Sequence, residues 1–137
     1  MLTWPKVLLL SSDDGESSDW QELFREHAAM TRVRDLNELR VSLGQESYDA
    51  LFCGWTFRSG TWNQALQHVQ ERCPDMPVVV FSRTGDEREW VRTLEAGAFD
   101  FLVSPYQRRT VLPVLEQAVT SYEARRYHHA DSYSNAS

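Results

Sequence analysis

Four apolar runs along this chain each end on a small or hydroxyl-bearing residue. Ser11 and Ser12 follow Val7 to Leu10, with the acidic pair Asp13 and Asp14 directly behind them. Gly54 follows Ala50 to Cys53, Ser82 follows Val78 to Phe81, and Ser104 follows Phe101 to Val103. Hydroxyls can hydrogen-bond an oxyanion, and adjacent carboxylates can ligate a hard divalent cation through oxygen. Around Gly54 that chemistry is missing. Glu46 and Asp49 precede the apolar run and so belong at its other end, while the stretch from Gly54 to Trp62 holds no acid. Cys53 and Cys73 stand apart without metal-ligand spacing and read as free thiols in a reducing cytosol.

Bulk properties narrow the possibilities. A chain of 137 residues with 42% hydrophobic and 25% charged side chains is one ordinary globular domain. No apolar run approaches the roughly 20 residues of a membrane helix. Acids close behind Val7 to Leu10 predict that the amino terminus is not a signal peptide. A net charge of -6 argues against an extended nucleic-acid surface. The pairs Arg108-Arg109 and Arg125-Arg126 read as solvated helix ends.

The elements that must position these residues alternate. Val7 to Leu10, Ala50 to Cys53, Val78 to Phe81 and Phe101 to Val103 are continuous apolar runs, as expected of strands buried on both faces. Thr31 to Arg34 alternates and suits an edge strand. Capping boxes at Ser18…Gln21, Asp35…Glu38, Thr61…Gln64 and Asp86…Glu89 predict four helix starts. A fifth helix begins near Thr110 with Pro113 in its first turn, and buries Val111, Leu115, Ala118, Val119 and Tyr122. Five strand–helix alternations predict a doubly wound α/β domain over residues 1–127, and aperiodic residues 128–137, including His128 and His129, a flexible tail.

The segment from Met76 to Tyr106, and Glu95 to Pro105 within it above all, resembles the second half of a response-regulator receiver domain, the phospho-accepting module of two-component signalling. The resemblance spans about residues 5 to 125. It implies a three-layer flavodoxin-like fold whose five-stranded parallel sheet has the order 2-1-3-4-5, with five helices. It also implies functions for the strand ends. Carried over position by position, the Mg²⁺-holding acids fall on Ser11 and Ser12, the phospho-acceptor on Gly54, and the phosphate-pairing lysine on Ser104. Only Ser82 keeps the expected hydroxyl. Ser11, Ser12, Asp13, Gly54, Ser82 and Ser104 are therefore expected to form a degenerate pocket without catalysis or cofactor. Mg²⁺ could bind only if Asp13 and Asp14 were shifted into register.

What remains, on that resemblance, is the face made by the fourth helix, fifth strand and fifth helix. Phe101 and Tyr106 match its switch positions, and Trp90 is expected half-exposed on its flank, with Val91 and Leu94 turned to the core. Trp55 and Phe57 are expected to fold over the vacant pocket. The expectation is an atypical receiver in bacterial cytoplasmic signalling, working by phosphorylation-independent contact with a protein partner or a second copy. A small-ligand sensor using the vacated pocket and an active phospho-acceptor with a misread register are the alternatives.

Overall fold

The computed structural model describes residues 4–135, with side chains through Tyr127. Its main sheet comprises β1 (Lys6–Leu10), β2 (Ala29–Val33), β3 (Ala50–Gly54), β4 (Val78–Ser82) and β5 (Asp100–Val103). All pairings are parallel and the spatial order is β2-β1-β3-β4-β5, the expected 2-1-3-4-5. The helices are α1 (Asp14–Phe24), α2 (Leu36–Gln45), α3 (Trp62–Arg72), α4 (Glu87–Ala96) and α5 (Arg108–Asn135).

Period-two alternation sends successive side chains to opposite faces, and each face has a core. Val7, Leu9, Ala50, Phe52, Val79 and Phe81 meet Trp20 and Phe24 of α1 and Val111, Leu115 and Ala118 of α5. Leu8, Leu10, Leu51, Cys53 and Val80 meet Leu39 of α2 and Trp62, Ala65, Leu66 and Val69 of α3. Every residue of β3 is buried, because helices cover both sides of it. β2 lies at the edge and only its Val33 is fully buried, so its alternation reflects one wet face.

Three of the expected caps form. Asp35 and Asp86 accept from the backbone N–H groups of Glu38 and Glu89 at 2.8 and 2.9 Å, and Gln64 reaches back to the Thr61 N–H at 3.0 Å. The cap expected at Ser18 does not. α1 starts a turn earlier, capped by Asp13, which accepts from the Glu16 N–H at 2.8 Å. Asp-x-x-Glu is as good a start signal as Ser-x-x-Gln, and the earlier start adds a hydrogen-bonded turn.

α5 differs at both ends. It begins at Arg108, so Pro113 is its sixth residue and removes an internal bond rather than an orphan one. It then continues to Asn135 where a tail is expected, since no glycine or further proline interrupts it. Residues 136–137 of that tail lie outside the described residues. α4 is the least embedded helix. Thr93 is its one fully buried side chain, whereas Val91 is exposed and Leu94 half-buried, against the expectation that both face the core. Gly97 ends α4 at φ 111°, a left-handed conformation that suits glycine, and a Cβ there would press on the Gln70 side-chain amide.

A hairpin unforeseen in the sequence follows β3, pairing Thr56 with Thr61 and Phe57 with Gly60. It drives Phe57 into the core beside Leu39 and Trp62.

The α1–β3 contact is the centre of one core: Phe52 packs at 5.4 Å from Trp20 and 5.0 Å from Phe24, between ring centroids. Truncating Phe52→Ala should cost about 3–5 kcal/mol, read as a lowered urea midpoint. An unchanged midpoint would contradict this packing.

Candidate functional site

The carboxyl ends of β1, β3 and β4 open onto a cavity of about 320 Å³. Its walls carry three hydroxyls (Ser12, Thr56, Ser82), three charges (Asp13, Glu16, Arg83) and two rings (Trp55, Phe81). Larger clefts of about 490 and 650 Å³ flank Pro5 and Trp4, beside the amino-terminal ends of β1 and β2. The strand-end cavity is the candidate because ligands of doubly wound folds gather at the carboxyl ends.

The expected residues divide. Ser12, Asp13 and Ser82 do line the cavity. Ser11 is buried and turned to local work: its Oγ accepts from the Asp13 N–H at 3.3 Å, and its carbonyl accepts from Arg32 Nε at 3.1 Å. Asp14 is drawn the same way, pairing with Arg32 Nη1 at 2.8 Å. Ser104 is exposed and lines a separate groove with Asp19, Tyr106 and Arg108, so the end of β5 adds nothing to the cavity. Gly54 closes β3 with no side chain, and a Cβ built on it would sit 3.3 Å from the Thr56 carbonyl oxygen. Of the two rings expected over the pocket, Trp55 lines it, packing in tilted contacts at 5.4 Å from Trp62 and 5.5 Å from Phe101 between ring centroids. Phe57 does not line it, being held in the core by the hairpin.

Two residues that sequence reasoning did not single out, Arg83 and Glu16, dominate the electrostatics. Arg83, the first residue after β4, reaches across to α1, where its Nη2 pairs with Asp13 Oδ2 and its Nε lies 3.8 Å from Glu16 Oε2. Glu16 is largely enclosed, its side chain 13% exposed, and its Oε2 accepts from the Tyr106 hydroxyl at 3.0 Å. Tyr106 in turn packs on Trp20 at 4.6 Å and Phe81 at 5.7 Å. Expected as a switch or interface residue, it is half-buried within this aromatic group. Glu16 and Trp20 share one face of α1, a turn apart, which is how the ionic and aromatic contacts converge on Tyr106. Two local signals pointed here: a cation directly behind Ser82, and the Asp13…Glu16 spacing.

The charges respond to these surroundings. Asp13 is held below the usual carboxylate range, first by the Glu16 backbone N–H and then by Arg83. Burial pushes Glu16 up, opposed by the Tyr106 hydroxyl and Arg83 and assisted by Asp13 and Asp19. Burial also raises the Cys53 thiol and, with Glu16, the Tyr106 hydroxyl, so neither is a ready nucleophile.

Mg²⁺ fits this donor set poorly. The two carboxylates facing the cavity already share a guanidinium, and the end of β3 offers no oxygen side chain. Among the described residues no group of three or more His, Cys, Asp and Glu could hold a metal ion.

No family model matches the chain. It is 32% identical over 73 residues, 53% of its length, to the response regulator protein PilR of Pseudomonas aeruginosa, covering 16% of that protein. It is 25% identical over 117 residues to the DNA-binding transcriptional regulator NtrC of Proteus hauseri, covering 83% of this chain and 25% of that one. The chain thus spans a quarter or less of the length of these two curated relatives.

Among solved structures, the signal receiver domain of an HD domain-containing protein from Pseudomonas fluorescens superposes with a TM-score of 0.80 at 16% identity. That match covers 89% of this chain and 99% of that one. The beryllofluoride-activated NtrC4 receiver domain dimer gives 0.79 at 19% identity, covering 85% and 98%. The fold is therefore the flavodoxin-like receiver fold.

The Glu16 environment has a pH signature. Its folded-state value lies above the ordinary 4.5, so the folded chain keeps a proton that the unfolded chain has lost. That contribution to stability is fully present below 4.5 and is lost as pH rises through the raised folded value. A carboxyl-carbon NMR titration should place Glu16 above 4.5, and a midpoint at or below it would contradict the burial described.

Proposed function

We propose that the chain is an atypical receiver that signals by protein contact and does not accept a phosphoryl group. The reading rests chiefly on Gly54: at the end of β3, the position that would have to supply the nucleophile, there is no side chain to phosphorylate. The pairing of Asp13 and Glu16 with Arg83 supports the same conclusion, since those carboxylates are engaged within the protein.

The contact surface in this reading is the face of α4, β5 and α5. Trp90, Val91 and Val103 are 45%, 38% and 39% exposed, three large apolar side chains on α4 and β5. An amphipathic tryptophan on such a face is a suitable anchor for a partner. Phe101 lies beneath it, 5% exposed, against Trp55 at the cavity wall, so it joins the pocket to the face from the inside. The occupant is a protein partner or a second copy of the chain, as in the NtrC4 receiver dimer. No helix among the described residues is long and apolar enough to cross a membrane, and the action proposed is in the bacterial cytoplasm.

Two measurements test this. Incubation with Mg²⁺ and a small phosphodonor should leave the intact mass unchanged, whereas an acid-stable, base-labile adduct would identify an acyl phosphate and overturn the first claim. Trp90→Ala should weaken self-association or partner capture at least about fivefold, in line with an interface anchor, without lowering the urea midpoint. If binding is unaffected while small anions raise the melting temperature of the wild-type chain, a ligand sensor in the cavity replaces the contact reading.

A further inference from the structure

We infer that Arg83 is a built-in counter-cation that latches the strand-end cavity and thereby fixes the loops that carry α4 and α5. The inference rests on reading the α4–β5–α5 face as the contact surface, and adds how that surface is held.

The geometry ties three separate segments to one another. Asp13 and Glu16 belong to the cap and first turn of α1. Arg83 heads the loop that enters α4 at its cap, Asp86. Tyr106 lies two residues before α5 begins. A single carboxylate oxygen, Glu16 Oε2, accepts from Tyr106 and faces Arg83, so it stands between the roots of both helices of the face.

The need for a cation follows from the charges. Asp13 and Glu16 turn toward one cavity, and Glu16 is largely withdrawn from water. Two carboxylates so placed repel each other and require a counter-charge. The chain supplies it covalently, as a guanidinium whose planar fork can engage both. No ion or phosphoryl group is then needed to assemble the site.

α4 rests against β5 but buries little of its own side-chain surface. With Thr93 as its one fully buried side chain, its placement depends on its ends: Gly97 and Gln70 at one, the loop rooted at Arg83 at the other. Gly85, in that loop, has no room for a Cβ, which would approach Phe101 Cε1 to 2.7 Å. The loop therefore lies directly on the Phe101 ring, and any shift at Arg83 is felt there.

Residue-resolved hydrogen exchange on the full chain tests the latch. Arg83→Met should speed exchange in Thr84 to Ala96 and Tyr106 to Thr110 about two- to fivefold, the scale of a partly exposed ion pair. Amides of Leu51 to Cys53, which report the core, should keep their rates. Arg83→Lys should restore part of the protection, and Asp13→Asn, which keeps the helix cap, should mimic Arg83→Met. Unchanged rates around α4, or equal acceleration in β3, would overturn the latch. Phosphodonor labelling and the Trp90→Ala binding assay report on the contact reading separately, so the failure of either idea is distinguishable from that of the other.

Discussion

A carboxylate withdrawn from water must be neutralised or solvated by fixed dipoles, and in this protein that requirement centres on Glu16. Its neighbours are a tyrosine hydroxyl, a guanidinium and the positive end of a helix. Exposed ion pairs add little on their own, and the Arg83–Asp13 contact, with both side chains well exposed, is of that kind. The more enclosed Glu16 gives the arrangement its consequence, because the cost of stranding a desolvated charge exceeds the gain from a surface pair.

Around that point the two halves of the fold play different parts. The sheet with α1, α3 and α5 is densely packed, and Trp20, Phe24, Phe52 and Phe81 form one continuous aromatic group beneath the cavity. α4 belongs to a softer region with more of its surface in water. A densely packed floor with a loosely held helix beside it places local opening on the α4 side of the fold.

Much of this architecture could be read from the residues. The doubly buried strands declared themselves as unbroken apolar runs, and Asp35, Thr61, Asp86 and Gly97 marked helix ends by local chemistry. These signals work because they depend on neighbours a few residues away. What escaped depends on reach through space. Arg83 meets Asp13 across 70 residues of sequence, and Tyr106 meets Glu16 across 90. Ser11 and Ser104 sit at the ends of their strands as expected, yet one hydroxyl turns to the Asp13 backbone and the other residue is exposed to solvent, which strand position alone does not settle. The start of α1 was ambiguous because Asp13 and Ser18 offer similar caps. The end of α5 was placed too early because lost periodicity was read as a helix end, although neither glycine nor a further proline marks one.

The backbone around Gly54 limits what that position can hold. A side chain there would press its first carbon against the Thr56 carbonyl oxygen, a contact tight enough that the following hairpin must yield. A carboxylate placed on it would enter a cavity where two acids already share one arginine. An acidic side chain at position 54 would thus demand coordinated changes in the hairpin and in Arg83. Glycine is the residue that the hairpin and the Asp13–Arg83–Glu16 group leave room for, and a side chain at position 54 would have to move a neighbour.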